Sequence, residues 1–120
     1  MITIILLIIA AASNAICDVL INFFYVSKFR RLNPYFWNPK VSYLNKWSDF
    51  DIKKEKFLGS STVFVAFTDS WHLFKAIWLM SMILCIVTYK PILQHWTLDG
   101  VMLLIIWGLV FELLFRWLKK

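Results

Sequence analysis

At 120 residues, 61% of them hydrophobic and 18% aromatic, with a mean hydropathy of +0.70, the chain is too apolar for a water-soluble domain. It is also too short to carry a soluble catalytic module beside its hydrophobic runs. The net charge of +6 does not point to nucleic acid, because no readout module or glycine-rich loop accompanies it.

Position explains the charge instead. Lys28, Arg30, Arg31, Lys40, Lys46, Lys53, Lys54 and Lys56 fall between the first two apolar runs, and Arg116, Lys119 and Lys120 follow the third. That is the distribution the positive-inside rule produces. The expected fold is all-α: a polytopic membrane protein of one domain, 1–120, with three transmembrane helices at about 2–26, 59–89 and 98–118 and an interfacial cytoplasmic loop at 28–57. The N-terminus is expected outside and the C-terminus in the cytoplasm, with a bacterial inner membrane as the expected location.

The first run, Ile2 to Val26, lacks the basic n-region of a signal peptide and stays apolar past its small-residue stretch, so it reads as a retained helix. Ala10, Ala11, Ala12, Ser13 and Ala15 give it a small face against which another helix can pack closely. In the loop, Asn33-Pro34 and Asn38-Pro39 each pair a capping amide with a proline suited to a first helical position. Short helical turns are therefore expected there, held at the headgroup layer by Tyr35, Phe36, Trp37, Tyr43, Trp47 and Phe50. Ser48-Asp49-Phe50-Asp51 reads as a turn.

The second run, Gly59 to Tyr89, would measure roughly 46 Å as one helix, longer than the ~30 Å hydrocarbon core. It must tilt or break near Thr68-Asp69-Ser70. With no proline or glycine at that point, a single tilted helix is expected. In the third run, Thr97 is the expected cap and Asp99 lies in the first turn, where it favours the helix dipole. Cys17 and Cys85 are isolated and read as small apolar residues.

Polar residues inside apolar spans usually face protein and mark working sites. Asn14, Asp18 and Asn22 are spaced four apart on one face of the first helix, and Asp69, His72 and Lys75 three apart on the second. Counting ~1.5 Å per residue from the cytoplasmic edge puts Asp18 opposite Asp69, Asn14 opposite His72, and Asn22 opposite Ser61–Thr62. Two carboxylates at one level must share a proton, gain charge compensation from His72 or Lys75, or hold a cation. Asp18, Asp69 and His72 are thus the candidate catalytic residues and the candidate ligands of a divalent cation. Asn14 and Asn22 would orient them, and Lys75 would balance charge. The bland counterpart is a satisfied polar seam that only fixes helix pairing. Glu112 and Arg116 read as a partly buried ion pair, and His95 as a solvated loop histidine.

Trp37-Asn38-Pro39-Lys40-Val41-Ser42, Asn45-Lys46-Trp47, Gly59-Ser60-Ser61-Thr62-Val63-Phe64-Val65 and Thr68-Asp69-Ser70-Trp71-His72 together resemble a family of small bacterial and phage-encoded integral membrane proteins. The likeness spans roughly Asn14 to Leu73. It implies that the amide–acid face, the aromatic loop and the Thr-Asp-x-Trp-His stretch act as one unit, and it implies no activity.

Three functions fit these residues. The first is a buried acid–histidine site that binds a cation, a proton or a polar lipid headgroup from the cytoplasmic side. The second is a non-catalytic accessory or assembly subunit, whose seam recognises a membrane-protein partner or a second copy. The third, an intramembrane lipid-modifying enzyme, requires a metal or a headgroup-sized cavity beside His72.

Overall fold

The computed structural model describes residues 1–120. The chain runs through α1 (Ile2–Phe23), two 3-10 turns (Phe24–Val26 and Lys28–Arg31), α2 (Pro34–Trp37), α3 (Pro39–Ser42) and a third 3-10 turn (Tyr43–Lys46). A hairpin of β1 (Trp47–Ser48) and β2 (Asp51–Glu55) follows, then a 3-10 turn (Val65–Phe67), α4 (Ser70–Val87) and α5 (Trp96–Lys119). The chain is mostly helical, and α1, α4 and α5 are each long and apolar enough to cross a membrane.

These three helices lie side by side with α1 in the middle. Both α4 and α5 pack along α1 and scarcely touch each other, which gives a flat molecule of 55 × 34 × 16 Å. Close approach is possible because Ala10, Ala11 and Ala15 have no exposed surface. Cys17 Sγ donates to Trp71 O at 3.7 Å, and Cys85 Sγ donates to Thr3 O at 3.6 Å. These two ties run α4 antiparallel to α1. The ring of Phe115 meets Phe23 edge-on at 5.5 Å, so α5 ends where α1 ends. The loop and the C-terminus therefore share one end, here called the basic end. A small core of Val19, Leu20, Phe24, Phe29 and Leu118 closes it.

The sequence expectations need three corrections. The fold is not purely helical, because β1 and β2 pair antiparallel. The turn anticipated at 48–51 does form: Asp49 (φ 52°) and Phe50 (φ 59°) both adopt the left-handed conformation that tight hairpins use.

The second apolar run is also not one helix. Residues 59–69 are irregular turns, and α4 begins only at Ser70. Capping chemistry makes the break without proline or glycine. Thr68 Oγ1 turns back to Val65 O at 2.7 Å, and Asp69 is extended (φ −158°, ψ 166°) with its side chain accepting from His72 N.

The third helix starts at Trp96, with His95 rather than Thr97 at the cap position. In the loop, the two asparagine–proline pairs behave as expected. Asn33 and Asn38 accept from Tyr35 N and Lys40 N, and each following proline opens a helical turn.

Candidate functional site

The start of α4 is the most organised polar feature of the fold. Asp69 Oδ1 accepts from His72 N at 3.0 Å, and Asp69 Oδ2 stands 2.6 Å from His72 Nδ1. The carboxylate is thus both helix cap and imidazole partner. The Asp69 side chain is only 3% exposed, against 22% for His72. With Nδ1 donating to the carboxylate, the lone pair of a neutral ring sits on Nε2. That nitrogen has no partner within the chain and is not sealed off. Trp71 stands edge-on to the ring at 5.0 Å.

The loop holds this helix start from outside. Asn45 Nδ2 donates to Thr68 O at 3.1 Å and also to Tyr35 O, tying α2 to the residue before the cap. Ser60 Oγ donates to Lys46 O at 2.7 Å and accepts from Lys56 N at 3.1 Å. Glu55 accepts from Gly59 N at 2.9 Å, from Ser61 N at 3.2 Å and from the Ser61 hydroxyl. Those bonds, the Ser61 hydroxyl foremost, hold the Glu55 carboxyl below its ordinary pKa.

Asp18 lies at the level expected for it but makes a different set of neighbours. With Cys17 opposite Trp71 and Thr3 opposite Cys85, Asp18 falls opposite Ser70, about one residue rise (~1.5 Å) from Asp69. No side-chain hydrogen bond or ion pair joins Asp18 to Asp69, His72 or Lys75, since the ion pairs of the chain are His72–Asp69 and Arg116–Glu112. Asp69 thus pairs with His72, one of the arrangements expected of it, and Asp18 stands outside that pair. Lys75 makes no direct ion pair with a carboxylate; its Nζ sits 3.8 Å from the centre of the Trp78 ring. Asn22 is exposed and donates to Asp18 O, and the 61–62 region that was to face it is not helical. Asn14 is half-buried. The Glu112–Arg116 pair forms on the surface, with side chains 51% and 73% exposed.

No three His, Cys, Asp or Glu side chains converge as a metal ligand set. Asp69 and His72 supply two donors, and Asp18 does not join them. Serine chemistry is also unsupported, because Ser70, next to the pair, is wholly enclosed and its hydroxyl is not presented to a substrate.

An apolar gap lies farther along the helices, with none of Asp69, His72, Lys75 or Asp18 among its lining residues. Because α4 and α5 scarcely meet, two adjoining apolar recesses of about 370 and 450 Å³ open between them, both lined by Leu7, Met82, Gly100 and Leu103. On α1, Leu7, Asn14 and Asp18 follow one strip, seven and then four residues apart, and on α4 Lys75, Trp78 and Met82 do the same at three and four. Along both strips the residues turn from apolar at the gap to polar toward the basic end. Lys75 rests its Nζ over the ring of Trp78, which lines the gap.

Sequence reasoning did not find the bonds that several of these residues make. Asn45, Ser60 and Glu55 carry no periodic signal, being loop residues whose partners lie up to 23 positions away. Asp99 was credited with a dipole interaction, yet it is fully buried and accepts from Tyr89 Oη at 2.7 Å, Ile92 N at 2.8 Å and Leu93 N at 2.8 Å. It locks the connection between α4 and α5. An acidic residue closely following a Tyr-Lys-Pro turn was the only available hint.

No protein-family model, curated protein or solved structure matches the chain.

Proposed function

We propose that the chain is an integral membrane protein that holds a membrane lipid by its polar headgroup. In this reading Asp69–His72 is the hydrogen-bonding centre, and the gap between α4 and α5 seats an acyl chain. The basic end faces the cytoplasm, because eleven of the 13 basic residues, all but Lys75 and Lys90, belong to the loop or the end of α5.

One observation carries the proposal. A buried carboxylate fixes the His72 ring through Nδ1 at 2.6 Å and leaves Nε2, an acceptor in the neutral ring, unpartnered and accessible. An acceptor at the end of a membrane helix suits a headgroup that donates hydrogen bonds, such as an ammonium or hydroxyl group. The gap is the apolar counterpart of this reading: its first lining residue on α4, Trp78, stands about 9 Å along the helix from His72. The stretch that carries the family resemblance, Asn14 to Leu73, contains both Asp69–His72 and the polar strip of α1.

The test is nitrogen NMR of His72 in nanodiscs of phosphatidylethanolamine or phosphatidylcholine. The Nε2 resonance should move toward a hydrogen-bonded or protonated shift only with the ethanolamine headgroup, which carries N–H donors that choline lacks. Identical His72 spectra in both lipids sink the idea.

A second reading, an accessory subunit, is favoured by the apolar gap itself, which accepts a helix as readily as a chain. Asp18→Asn and Asp69→Asn separate the two. In the lipid reading the Asp69→Asn protein is still recovered in the membrane and loses the His72 response. In the subunit reading recovery or partner association falls instead.

A further inference from the structure

A second polar feature lies at the basic end, away from Asp69–His72. The turn after α1 is built around Ser27, which is extended (φ −95°, ψ 172°) between two 3-10 turns. Its hydroxyl donates to Phe24 O at 2.8 Å and accepts from Phe29 N at 3.3 Å. Phe29 is thereby turned into the core and stacks on Trp37 at 5.2 Å. Its neighbours Lys28, Arg30 and Arg31 are left exposed. From the other side Leu118 buries beside Phe24 and Phe29 and brings Lys120 to the same place. The result is a recess of about 440 Å³ lined by Val26, Ser27, Lys28, Arg30, Arg31 and Lys120.

Four cationic side chains and no acidic side chain line this space. None of the four is ion-paired anywhere in the chain. Lys28 Nζ rests 3.3 Å from the centre of the Trp117 ring, which positions the charge without neutralising it. Four like charges around one recess repel one another modestly in water, and an anion between them turns that repulsion into attraction. Paired guanidinium groups are suited to the oxygens of a phosphate. The recess opens where the apolar spans Ile2–Val26 and Trp96–Lys119 end, which is the level of lipid phosphates in a bilayer.

We propose that this recess binds the phosphate of an anionic membrane lipid. It shares with the headgroup proposal above only the membrane location, and no residue of Asp69–His72 lines it.

Native mass spectrometry of the full chain in mild detergent tests the site, with phosphatidylglycerol and phosphatidylcholine offered at equal concentration. Phosphatidylglycerol should be retained preferentially, and Arg30→Gln with Arg31→Gln should weaken its binding on the order of tenfold. Lys53→Gln with Lys54→Gln removes the same charge from β2, outside the recess, and should leave the preference in place. If the arginine pair cannot be produced, Lys120→Gln should give a smaller loss in the same direction. Equal retention of the two lipids overturns the proposal. So does an equal loss in the Lys53/Lys54 protein, which would make the effect one of overall charge. Competition by millimolar inorganic phosphate with no lipid preference would identify a soluble anion as the occupant and overturn the lipid assignment. A retained phosphatidylglycerol preference with an unresponsive His72 Nε2 would sink the headgroup reading and leave this one standing.

Discussion

Asp69 holds His72 twice, accepting from its backbone N–H at 3.0 Å and standing 2.6 Å from its ring Nδ1. One buried carboxylate therefore starts α4 and sets which face of an imidazole is left for other partners. The two roles can be pulled apart chemically, because asparagine caps helices as well as aspartate does but carries no charge.

Asp69→Asn should keep most of the protein's stability while releasing the His72 ring. Asp69→Ala should lose about 1–2 kcal/mol, the usual cost of a lost cap. Unfolding in a mixed-detergent titration measures both. Equal stability losses in the two variants would show that the charge, not the cap, holds the helix start.

Asp99 should matter more to stability than any residue of the candidate site. Asp99→Ala strands two backbone N–H groups and the Tyr89 hydroxyl, and a loss of about 3 kcal/mol is expected. Tyr89→Phe removes one of the three donors and should cost about 1 kcal/mol. Thermal unfolding of both variants checks the order.

The 55–61 loop should loosen in acid. The Glu55 pKa is lowered from its ordinary 4.5, so its contribution is complete above that value and is lost as pH falls through the lower folded pKa. The amide resonances of Gly59 and Ser61 should titrate together with a midpoint below 4.5, and Glu55→Gln should abolish the transition. A midpoint at or above the ordinary value contradicts the hydrogen bonding.

The α1–α4 register is open to cross-linking. Thr3 O lies 3.6 Å from Cys85 Sγ, so Thr3→Cys should form a disulfide with Cys85 under mild oxidant. Ile9→Cys, displaced by roughly 9 Å along the helix, should not. Mobility on non-reducing gels reads the result, and a bond from position 9 would refute the register.

Hydropathy and charge made the three apolar helices and the order of their ends legible from the sequence, because each depends on runs of ~20 residues. Asn33-Pro34 and Asn38-Pro39 were equally legible, since capping is decided within three residues. The start of α4 was not. The hydrophobic run continues smoothly from Gly59, and only the competition of Thr68 and Asp69 for nearby backbone groups stops the helix there. At the candidate site the level of Asp18 relative to Asp69 could be counted along two helices. Which side chain would claim the Asp69 carboxylate could not be counted, because a partner three residues away in the chain outcompetes one on another helix. Asn45 and Ser60 act through tertiary bonds across the loop, for which composition gives no sign.

The late start of α4 leaves the three helices unequal. At ~1.5 Å per residue the 18 residues of α4 reach ~27 Å, while the 24 of α5 reach ~36 Å. In the proposed bilayer setting the short helix favours local thinning, while the long one is met by tilt or thickening. Thinning on that flank would draw the water boundary toward the foot of α4, where the proposed headgroup site at His72 lies.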